Sequence, residues 1–478
     1  MNYSVIRYIL CSVLEFQALF MSLPCFVALY YKESDGWSYF FVALGCLIIG
    51  RLGKIVKPKD KTFYAKDGFV IVSISWILLS LTGALPFYIS GEIPSFTNAL
   101  FESISGFTTT GATVLTDVEA LPRCCLFWRC FTNWIGGMGV LVFIVAIRPL
   151  SGGYNMHLMR AESTGPSVGK LVPRVRHSAR ILYAIYIALT ILLIILFLIA
   201  GVPFFEAINL AFGTGGTGGF GILNSSVASY PAIVQTLVTI FMILFGINFN
   251  VFYLILIGKP LQALKHEEFR YYLIVIAAAV LSITWNIADQ FESLFDAFHH
   301  AAFQTASIIT TTGYSTVDYV QWPMFAQTVL LMIMFIGACA GSTGGGMKIS
   351  RFVILLRIVK NEISYLIHPK RVKQIYFEQR VIPKEIFRSV QSFFIFYILI
   401  LGASVLIVSL DGFGFFTGFS AVVTLFNNVG PGFELVGPTG SFDIFSNPVK
   451  YVLMFDMLVG RLEIFPMVVL LSPSTWKK

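Results

Sequence analysis

TTTGAT at residues 108–113 is the first of four related loops, followed by GTGGFG at 216–221, TTTGYS at 310–315 and NNVGPG at 427–432. Aligning the residue before each glycine gives four pairs: Thr110-Gly111, Thr217-Gly218, Thr312-Gly313 and Val429-Gly430. These glycines are 107, 95 and 117 residues apart, which indicates an internal repeat with a period of roughly 100 residues. Ion-selective pores bring four such loops to one axis, where backbone carbonyls replace the water shell of the ion. We therefore predict that these eight residues form an ion-binding filter.

The composition indicates a protein that lies in a lipid bilayer. Of the 478 residues, 56% are hydrophobic and 12% are charged, and the mean hydropathy is +0.80. Soluble proteins carry about 25% charged residues, so a soluble globular fold is excluded. A membrane-spanning helix needs about 20 apolar residues, and we predict ten spans in an all-α integral membrane protein. They are residues 4–31, 37–56, 68–90, 126–148, 180–200, 231–257, 271–289, 323–347, 388–409 and 447–471.

Lysine and arginine are concentrated on alternate connections between these spans. One set of connections holds 22 Lys and Arg against 8 acids, and consists of residues 57–67, 149–180, 258–270 and 348–388. The other set holds one arginine and 12 acids, and consists of residues 91–125, 201–230, 289–322 and 411–447. The positive-inside rule makes the first set cytoplasmic, so both termini lie inside and the glycine loops lie outside. The net charge of +8 is thus a topology signal and does not indicate nucleic-acid binding.

Each glycine loop follows an apolar segment that is too short to cross the bilayer. We predict re-entrant half-helices at Phe96–Phe107, Phe204–Phe212, Leu294–Ile308 and Phe415–Phe426. Their carboxyl ends meet the loops, so the helix dipoles favour a cation there. A spanning helix, a half-helix, the loop and a second spanning helix form one repeat, and four repeats surround a pseudo-four-fold pore. The predicted units are a two-helix extension at 1–67 and pore repeats at 68–150, 151–260, 261–370 and 371–478.

Acidic residues near the outer ends of the spans predict a negative vestibule that concentrates cations. They are Glu92, Glu102, Asp117, Glu119, Glu206, Asp289, Glu292, Asp296, Asp318, Glu434 and Asp443. For any single acid, a solvated loop position or a helix start is the alternative. The seven cysteines form no facing CxxC pairs and the spans contain no histidine cluster, so neither a zinc or redox site nor an enzyme is indicated.

The second helix of repeat three contains GACAGSTGGGMK at 337–348, which we call the 337–348 loop. Five of its first ten residues are glycine, and each glycine costs about 1 kcal/mol in a helix, so the helix should break here. The loop lies halfway along the predicted span, where it can obstruct the pore beneath the filter. The candidate gate residues are Gly341, Ser342, Thr343, Gly344, Gly345 and Gly346. Helix packing through small residues and phosphate binding are the alternatives, and the second lacks the GK[ST] order.

Arg461 lies in the middle of the last predicted span, where an ionisable group is expensive and usually faces a cavity or a partner. We predict that it forms a barrier below the filter or holds the 337–348 loop through its carbonyls or through Ser342 and Thr343. An ion pair with Glu463 or Asp456, or snorkelling to the cytoplasm, is the alternative. Asn248 and Asn250 either line the inner cavity or make interhelical hydrogen bonds.

The chain resembles the superfamily of potassium transporters that includes the Trk, Ktr and HKT proteins, and its two extra N-terminal helices resemble the TrkH type. The resemblance rests on TTTGATVL at 108–115, TGGFG at 217–221, NNVGPGF at 427–433 and GRLEIFP at 460–466. It implies a potassium-permeable pore in the bacterial inner membrane, a homodimer in lipid, and a cytoplasmic TrkA-type regulatory ring that binds nucleotide. It implies no cofactor in this chain, potassium as the only bound metal, and a gate at the 337–348 loop.

The loops depart from potassium-channel filters, because none contains TVGYG and only one glycine aligns across all four. This predicts fewer stacked carbonyl rings and a less strict preference for potassium over sodium. The basic segment 348–388 is either a docking surface for the regulator or an ordinary cytoplasmic loop that touches anionic lipid. We predict passive potassium permeation. The alternative is a proton- or sodium-coupled symporter, although such folds usually show inverted repeats and ionisable residues at the membrane midplane.

Overall fold

The computed structural model describes residues 1–58, 64–139, 175–369 and 374–476. These residues form helices joined by short loops, together with a two-stranded antiparallel hairpin of β1 (Tyr376–Phe377) and β2 (Arg380–Val381). The N-terminal extension and repeat one contain α1 (Tyr3–Tyr31), α2 (Gly36–Gly53), α3 (Ala65–Ser90), α4 (Phe96–Phe107) and α5 (Arg123–Met138). Repeat two contains α6 (Val175–Ile199), α7 (Phe204–Gly216), α8 (Ala232–Phe245), α9 (Phe249–Leu256) and α10 (Pro260–Leu264).

Repeat three contains α11 (Glu267–Ile287), α12 (Leu294–Ile309), α13 (Met324–Ile336) and α14 (Ile349–Ile367). Repeat four contains α15 (Lys384–Val408), α16 (Phe415–Phe426), α17 (Asn447–Arg461), α18 (Phe465–Leu471) and α19 (Pro473–Trp476). Short 3₁₀ turns lie at Ala288–Gln290, Tyr319–Gln321, Ser409–Asp411, Glu434–Val436 and Phe442–Ile444. The all-α membrane fold is thus as predicted, while the exact repeat boundaries stay predictions.

The four half-helices α4, α7, α12 and α16 pack in a closed cycle. Each contacts the first and second helices of its own repeat. In addition, α7 contacts α5 of repeat one, α12 contacts α8 of repeat two, α16 contacts α13 of repeat three, and α4 contacts α17 of repeat four. The cycle closes within one chain, so the four loops that follow these half-helices meet at one axis.

The first and second helices of the repeats differ in length. Six described helices are long and apolar enough to span a bilayer, namely α1, α2, α3, α6, α11 and α15. These are the N-terminal extension and the first helix of each repeat. The second helices α5, α8, α13 and α17 have 16, 14, 13 and 15 residues. The predicted spans 231–257 and 447–471 are therefore not single continuous helices, and among the described residues a seventh span is reached only if α8 and α9, bent by 90°, count as one.

The breaks have local causes that hydropathy does not record. Between α8 and α9, Gly246 ends one helix and the side chain of Asn248 caps the next, so the predicted span 231–257 is interrupted. Between α17 and α18, Glu463 and Ile464 have positive φ values of 60° and 66°, which interrupts the predicted span 447–471. A break was predicted for repeat three alone, and it occurs there between α13 and α14.

Three half-helices begin and end within one residue of the prediction, and α7 extends four residues past Phe212 to Gly216. Parts of other predictions lie outside the described residues. These are the end of the span 126–148 beyond residue 139, the boundary at 150 and 151, Lys370 and Arg371 of the basic segment, and the C-terminal Lys477 and Lys478.

Candidate pore, filter and gate

The four glycine loops follow the same backbone path. In each loop a residue with left-handed φ, between 50° and 58°, lies one or two residues after the half-helix: Thr109, Thr217, Thr311 or Asn428. Two residues later comes a glycine with φ between 68° and 101°: Gly111, Gly219, Gly313 or Gly430. Between them lies Thr110, Gly218, Thr312 or Val429, whose N–H donates to the carbonyl five residues earlier at 2.8–3.0 Å. Four copies of one turn, each after a half-helix, establish the repeat in the backbone.

This geometry corrects the register predicted for repeat two. The counterpart of Gly111 is Gly219, and Thr217 matches Thr109, the residue before Thr110. The sequence GTGG at 216–219 ends in two consecutive glycines, and the alignment on the threonine before the glycine selected Gly218 instead of Gly219. Gly218 has no positive φ, and its N–H bond to Gly213 places it at the Thr110 position.

The loops approach so closely that the third position of each turn accepts only glycine. A Cβ on Gly111 would lie closer than 3.0 Å to the carbonyl oxygen of Gly218 in the next loop. The same holds for Gly219 with Thr312 and for Gly313 with Val429. The last contact, Gly430 with Thr110, returns to the first loop. The ring therefore closes without a gap, and every step joins a glycine to a carbonyl at the second position of its neighbour.

Buried hydroxyl groups hold the outer half of three turns. Six residues before the glycine, Ser105, Ser307 and Thr424 donate to the carbonyls of Ala112, Tyr314 and Pro431 at 2.6–3.0 Å. Sequence reasoning missed these residues, although a small hydroxyl at a fixed distance before the glycine was a visible signal.

Repeat two has Gly213 at this position, and its partner carbonyl belongs to Phe220. That carbonyl accepts instead from the hydroxyl of Tyr314, which comes from repeat three, at 3.0 Å. A Cβ at Gly213 would collide with this hydroxyl group. The tyrosine thus substitutes across the interface for the missing serine, and it ties loop three to loop two.

The outer mouth differs from the predicted acidic vestibule. A cavity of about 130 Å³ lies outside the ring and is lined by Gly111, Gly219, Gly313 and Gly430. Among its described lining residues, Arg129 is the charged one. Glu102 is buried and forms an ion pair with Arg129.

The Glu102 carboxylate also accepts from the Thr113 hydroxyl at 3.1 Å and from the Val114 N–H at 3.3 Å. Arg129 donates to the Gly221 carbonyl at 2.9 Å. The pair therefore braces loops one and two from behind. Asp443 likewise pairs with Lys450 at 2.6 Å, so these two acids are structural and do not stand free in a vestibule.

The 337–348 loop packs against the inner ends of glycine loops two, three and four, and Arg461 links it to repeat one. Its residue Thr343 accepts a hydrogen bond from the Thr217 hydroxyl at 3.2 Å, and Gly345 N–H donates to the Thr311 hydroxyl at 2.6 Å. Gly345 is also packed against the Asn427 carbonyl of repeat four. Residues 341–346 are buried except for the exposed Gly341 and the half-buried Gly346. The loop thus fills the space beside the residues that precede the ring in repeats two, three and four.

Arg461 connects this loop to repeat one. Its guanidinium donates to the Thr343 carbonyl and the Gly137 carbonyl, both at 2.8 Å, and also to the Gly136 carbonyl. The predicted hold on the loop through backbone carbonyls is therefore present. Of the two acids considered as partners, Glu463 pairs with Arg351, and Asp456 accepts from the Ser404 hydroxyl at 2.7 Å.

Further contacts to the loop were not predicted. Lys348 is buried and its ammonium group donates to the Gly344 carbonyl. Asn248 makes the interhelical bond that was one of its two predicted roles, because its amide donates to Glu268 at 3.2 Å. Among the described residues no cluster of three metal-ligating side chains occurs, and all seven cysteines are free thiols.

Comparison with known proteins assigns this chain to a family. Residues 40–478 match the family model described as TrkH, a cation transport protein. The chain belongs to the TrkH family. It is 38% identical to the Trk system potassium uptake protein TrkH of Salmonella typhimurium, over 96% of both chains. It is 36% identical to the Trk system potassium uptake protein TrkG of Escherichia coli K12, over the full length of both.

The crystal structure of the potassium transporter TrkH from Vibrio parahaemolyticus superposes with a TM-score of 0.89 at 33% sequence identity, over 100% of both chains. The predicted resemblance to TrkH-type proteins is therefore confirmed. So is a multi-pass protein of the bacterial inner membrane. The TrkH family transports cations, so the chain is a transporter and not an enzyme.

Proposed function

We propose that this chain is the potassium-conducting subunit of a Trk uptake system and that the ion moves passively through the four-loop ring. The relatives carry the name Trk system potassium uptake protein, which supports potassium as the substrate. The observation that carries the mechanism is the closed cycle of glycine and carbonyl contacts around one axis. A ring of carbonyl oxygens can replace the hydration shell of a cation.

The filter residues of this proposal are the second and third positions of the turns. They are Thr110, Gly111, Gly218, Gly219, Thr312, Gly313, Val429 and Gly430, with Thr217 one position further in. All four half-helices end at the ring, and their carboxyl-end dipoles favour a cation there. A single glycine per turn supports few carbonyl layers, and hence a modest preference for potassium over sodium.

The 337–348 loop is the gate in this proposal, and Arg461 is its latch. A buried segment that packs against Thr217, Thr311 and Asn427 at the inner end of the ring obstructs an ion while it stays in place. A guanidinium group at this depth adds an electrostatic barrier to cations. Opening requires the loop to leave Thr217, Thr311 and Arg461 together.

Coupled symport remains the second candidate because one buried carboxylate lies in α17. Asp456 is fully buried, and its Oδ1 accepts from Ser404. Ionisable groups at membrane depth are the usual sites of proton coupling. If Asp456 carries a coupled proton, Asp456→Asn abolishes any dependence of potassium flux on a proton gradient. In a passive pore, that variant conducts with the reversal potential of the unchanged chain.

The assembly is also part of the proposal. The name Trk system supports a complex of several components, and we assign to it a homodimer in membrane lipid and a cytoplasmic TrkA-type subunit. Nucleotide would bind to that subunit. The docking surface is the basic segment 348–388, and the charge bias places both termini in the cytoplasm.

The test of the filter is Gly313→Ser. A side chain at Gly313 meets the Val429 carbonyl, and φ there is +83°, so the ring must open locally. We expect a lower ratio of potassium to sodium permeability in protein that stays monodisperse in detergent. An unchanged ratio in such folded protein would contradict the filter assignment.

A further inference from the structure

A buried carboxylate outside the pore axis grips the 337–348 loop. Glu268, in the first turn of α11, is 2% exposed. Its Oε1 accepts the backbone N–H of Ala340 at 2.7 Å, and its Oε2 accepts the side-chain amide of Asn248 at 3.2 Å. A charged acceptor that takes two buried donors makes stronger hydrogen bonds than a neutral one.

These two donors lie on the two surfaces that meet when the loop is docked. Residues 339–343 pair with the break between α8 and α9 through three backbone hydrogen bonds. They run from Cys339 N–H to Gly246, from Thr343 N–H to Phe245, and from Phe249 N–H to Gly341, at 3.1–3.4 Å. Glu268 bridges this seam, because Ala340 belongs to the loop and Asn248 to the break. It therefore clamps the loop to repeat two.

The clamp is itself held by the hairpin of β1 and β2. Glu378 lies in the hairpin turn, and its carboxylate accepts the N–H groups of Glu267 and Glu268 at 3.1 and 3.0 Å. A carboxylate at the amino end of a helix satisfies otherwise unpaired N–H groups and the helix dipole. Glu378 also lies 2.9 Å from His266 Nδ1, and Glu267 pairs with Arg357 of α14 at 3.0 Å.

We propose that Glu268 is a positioning residue that holds the 337–348 loop closed, and that Glu378 transmits the position of the hairpin to Glu268. The inference rests on the proposed gate. The hairpin lies within the basic segment 348–388, so a protein bound there acts on the gate through two carboxylates and one helix end. The path runs from the hairpin turn to α11, then to the loop, and it does not involve the filter.

Potassium flux into proteoliposomes tests the clamp, with three variants measured beside the unchanged chain. The first lacks residues 342–346 and establishes whether the loop is a gate at all. The second is Glu268→Ala, for which we expect about tenfold higher basal flux, since a hydrogen bond to a charged group corresponds to about that factor. The third is Glu15→Ala, which removes a carboxylate paired with Lys54 in the N-terminal extension and should leave flux unchanged.

The outcomes separate the two proposals. If the deletion does not raise flux, the gate assignment fails. If the deletion raises flux and Glu268→Ala does not, the clamp is wrong while the gate stands. Asn248→Ala, which removes one donor and keeps the carboxylate, should give a smaller rise in the same direction, and a fall would also contradict the clamp.

A second readout does not depend on flux. Cys339 is buried beside Ala340, so its labelling by a thiosulfonate reagent reports opening of the loop in a chain whose other six cysteines are replaced by serine. Glu268→Ala should speed labelling several-fold with an unchanged potassium to sodium ratio. Glu378→Ala should do the same to a smaller extent and add nothing to Glu268→Ala. An additive effect would show that the hairpin does not act through Glu268.

Discussion

The filter and the loop beneath it are built on opposite plans. The filter consists of four copies of one backbone turn, and its contacts run from glycine to carbonyl around a closed ring. The 337–348 loop occurs in one repeat only and is held by three backbone hydrogen bonds to the break between α8 and α9 and by the side chains of Arg461 and Glu268. Close backbone packing resists displacement, whereas a few polar contacts can be exchanged. The difference suggests a rigid selector above a movable obstruction.

The largest effect on potassium flux is expected from a change in the 337–348 loop. Deletion of residues 342–346 removes the segment proposed as the gate, and basal potassium flux should rise by about one order of magnitude or more. Flux of a potassium isotope into proteoliposomes measures it. Equal flux from folded, membrane-inserted protein would make the loop a packing feature.

On the filter side of the comparison, one added methyl group at Gly219 should disturb the ring. Gly219→Ala places a Cβ against the Thr312 carbonyl at a φ of +68°, and the potassium to sodium permeability ratio should fall about tenfold, or about 1.4 kcal/mol. Gly218→Ala is the comparison variant, since its Cβ meets the Asn133 side chain instead of a backbone carbonyl and its φ is not positive. A larger fall of the permeability ratio in Gly218→Ala would instead support the sequence alignment, in which Gly218 is the counterpart of Gly111.

Arg461 sharpens the comparison because it touches the loop and not the ring. Arg461→Gln removes the charge and most of the donors to Thr343, Gly136 and Gly137, so basal flux should rise several-fold at an unchanged permeability ratio. Arg461→Lys keeps the positive charge but loses most of the hydrogen bonds, so it distinguishes the electrostatic barrier from the hold on the loop. A changed ratio in either variant would show that the arginine acts on selection.

A smaller effect is expected from the hydroxyl groups behind the filter. Ser307→Ala loses one buried hydrogen bond to the Tyr314 carbonyl, which contributes about 1 kcal/mol to stability. Tyr314→Phe should destabilise loop two instead, because its hydroxyl serves the Phe220 carbonyl. Thermal unfolding in detergent gives the stability, and both variants should keep wild-type gating.

The smallest expected effect is a pH dependence of the closed state at the hairpin. Burial lowers the pKa of His266, but the hydrogen bond and charge of Glu378 outweigh it, so the pKa lies above its ordinary value of 6.5. The imidazolium also faces Glu267 and Glu268 of α11, while Arg357 of α14 pairs with Glu267. The imidazolium therefore stabilises the closed state fully below about pH 6.5, and this stabilisation is lost as the pH rises through the raised pKa of His266. Basal flux should increase over that interval and become flat in His266→Gln.

The repeated features could be predicted from the sequence, and the single ones mostly could not. The half-helices and the glycine turns recur four times, so pattern alone located them to within one residue in three repeats. Repeat two failed at Gly218 and Gly219 because residue identity does not report φ. The breaks after α8 and α17 were missed because apolar residues continue through them, although Asn248 and Pro466 mark the restarts.

The charged residues show the same limit. Arg461 was found because an arginine in the middle of a predicted span is unusual. Glu102 lies in a predicted half-helix, Glu268 and Glu378 lie in predicted connections, and the roles of all three depend on partners that are distant in the chain. Such pairing follows from the fold and cannot be read from spacing.

The central claim is that the four-loop ring forms a passive, potassium-selective pore. The most direct test is the reversal potential of the purified chain in proteoliposomes under a potassium and sodium gradient, measured with and without a pH gradient. We predict a reversal potential shifted from zero toward the equilibrium potential of potassium, and we predict that the pH gradient does not change it. A reversal potential that follows the proton gradient would contradict passive permeation and identify coupled transport.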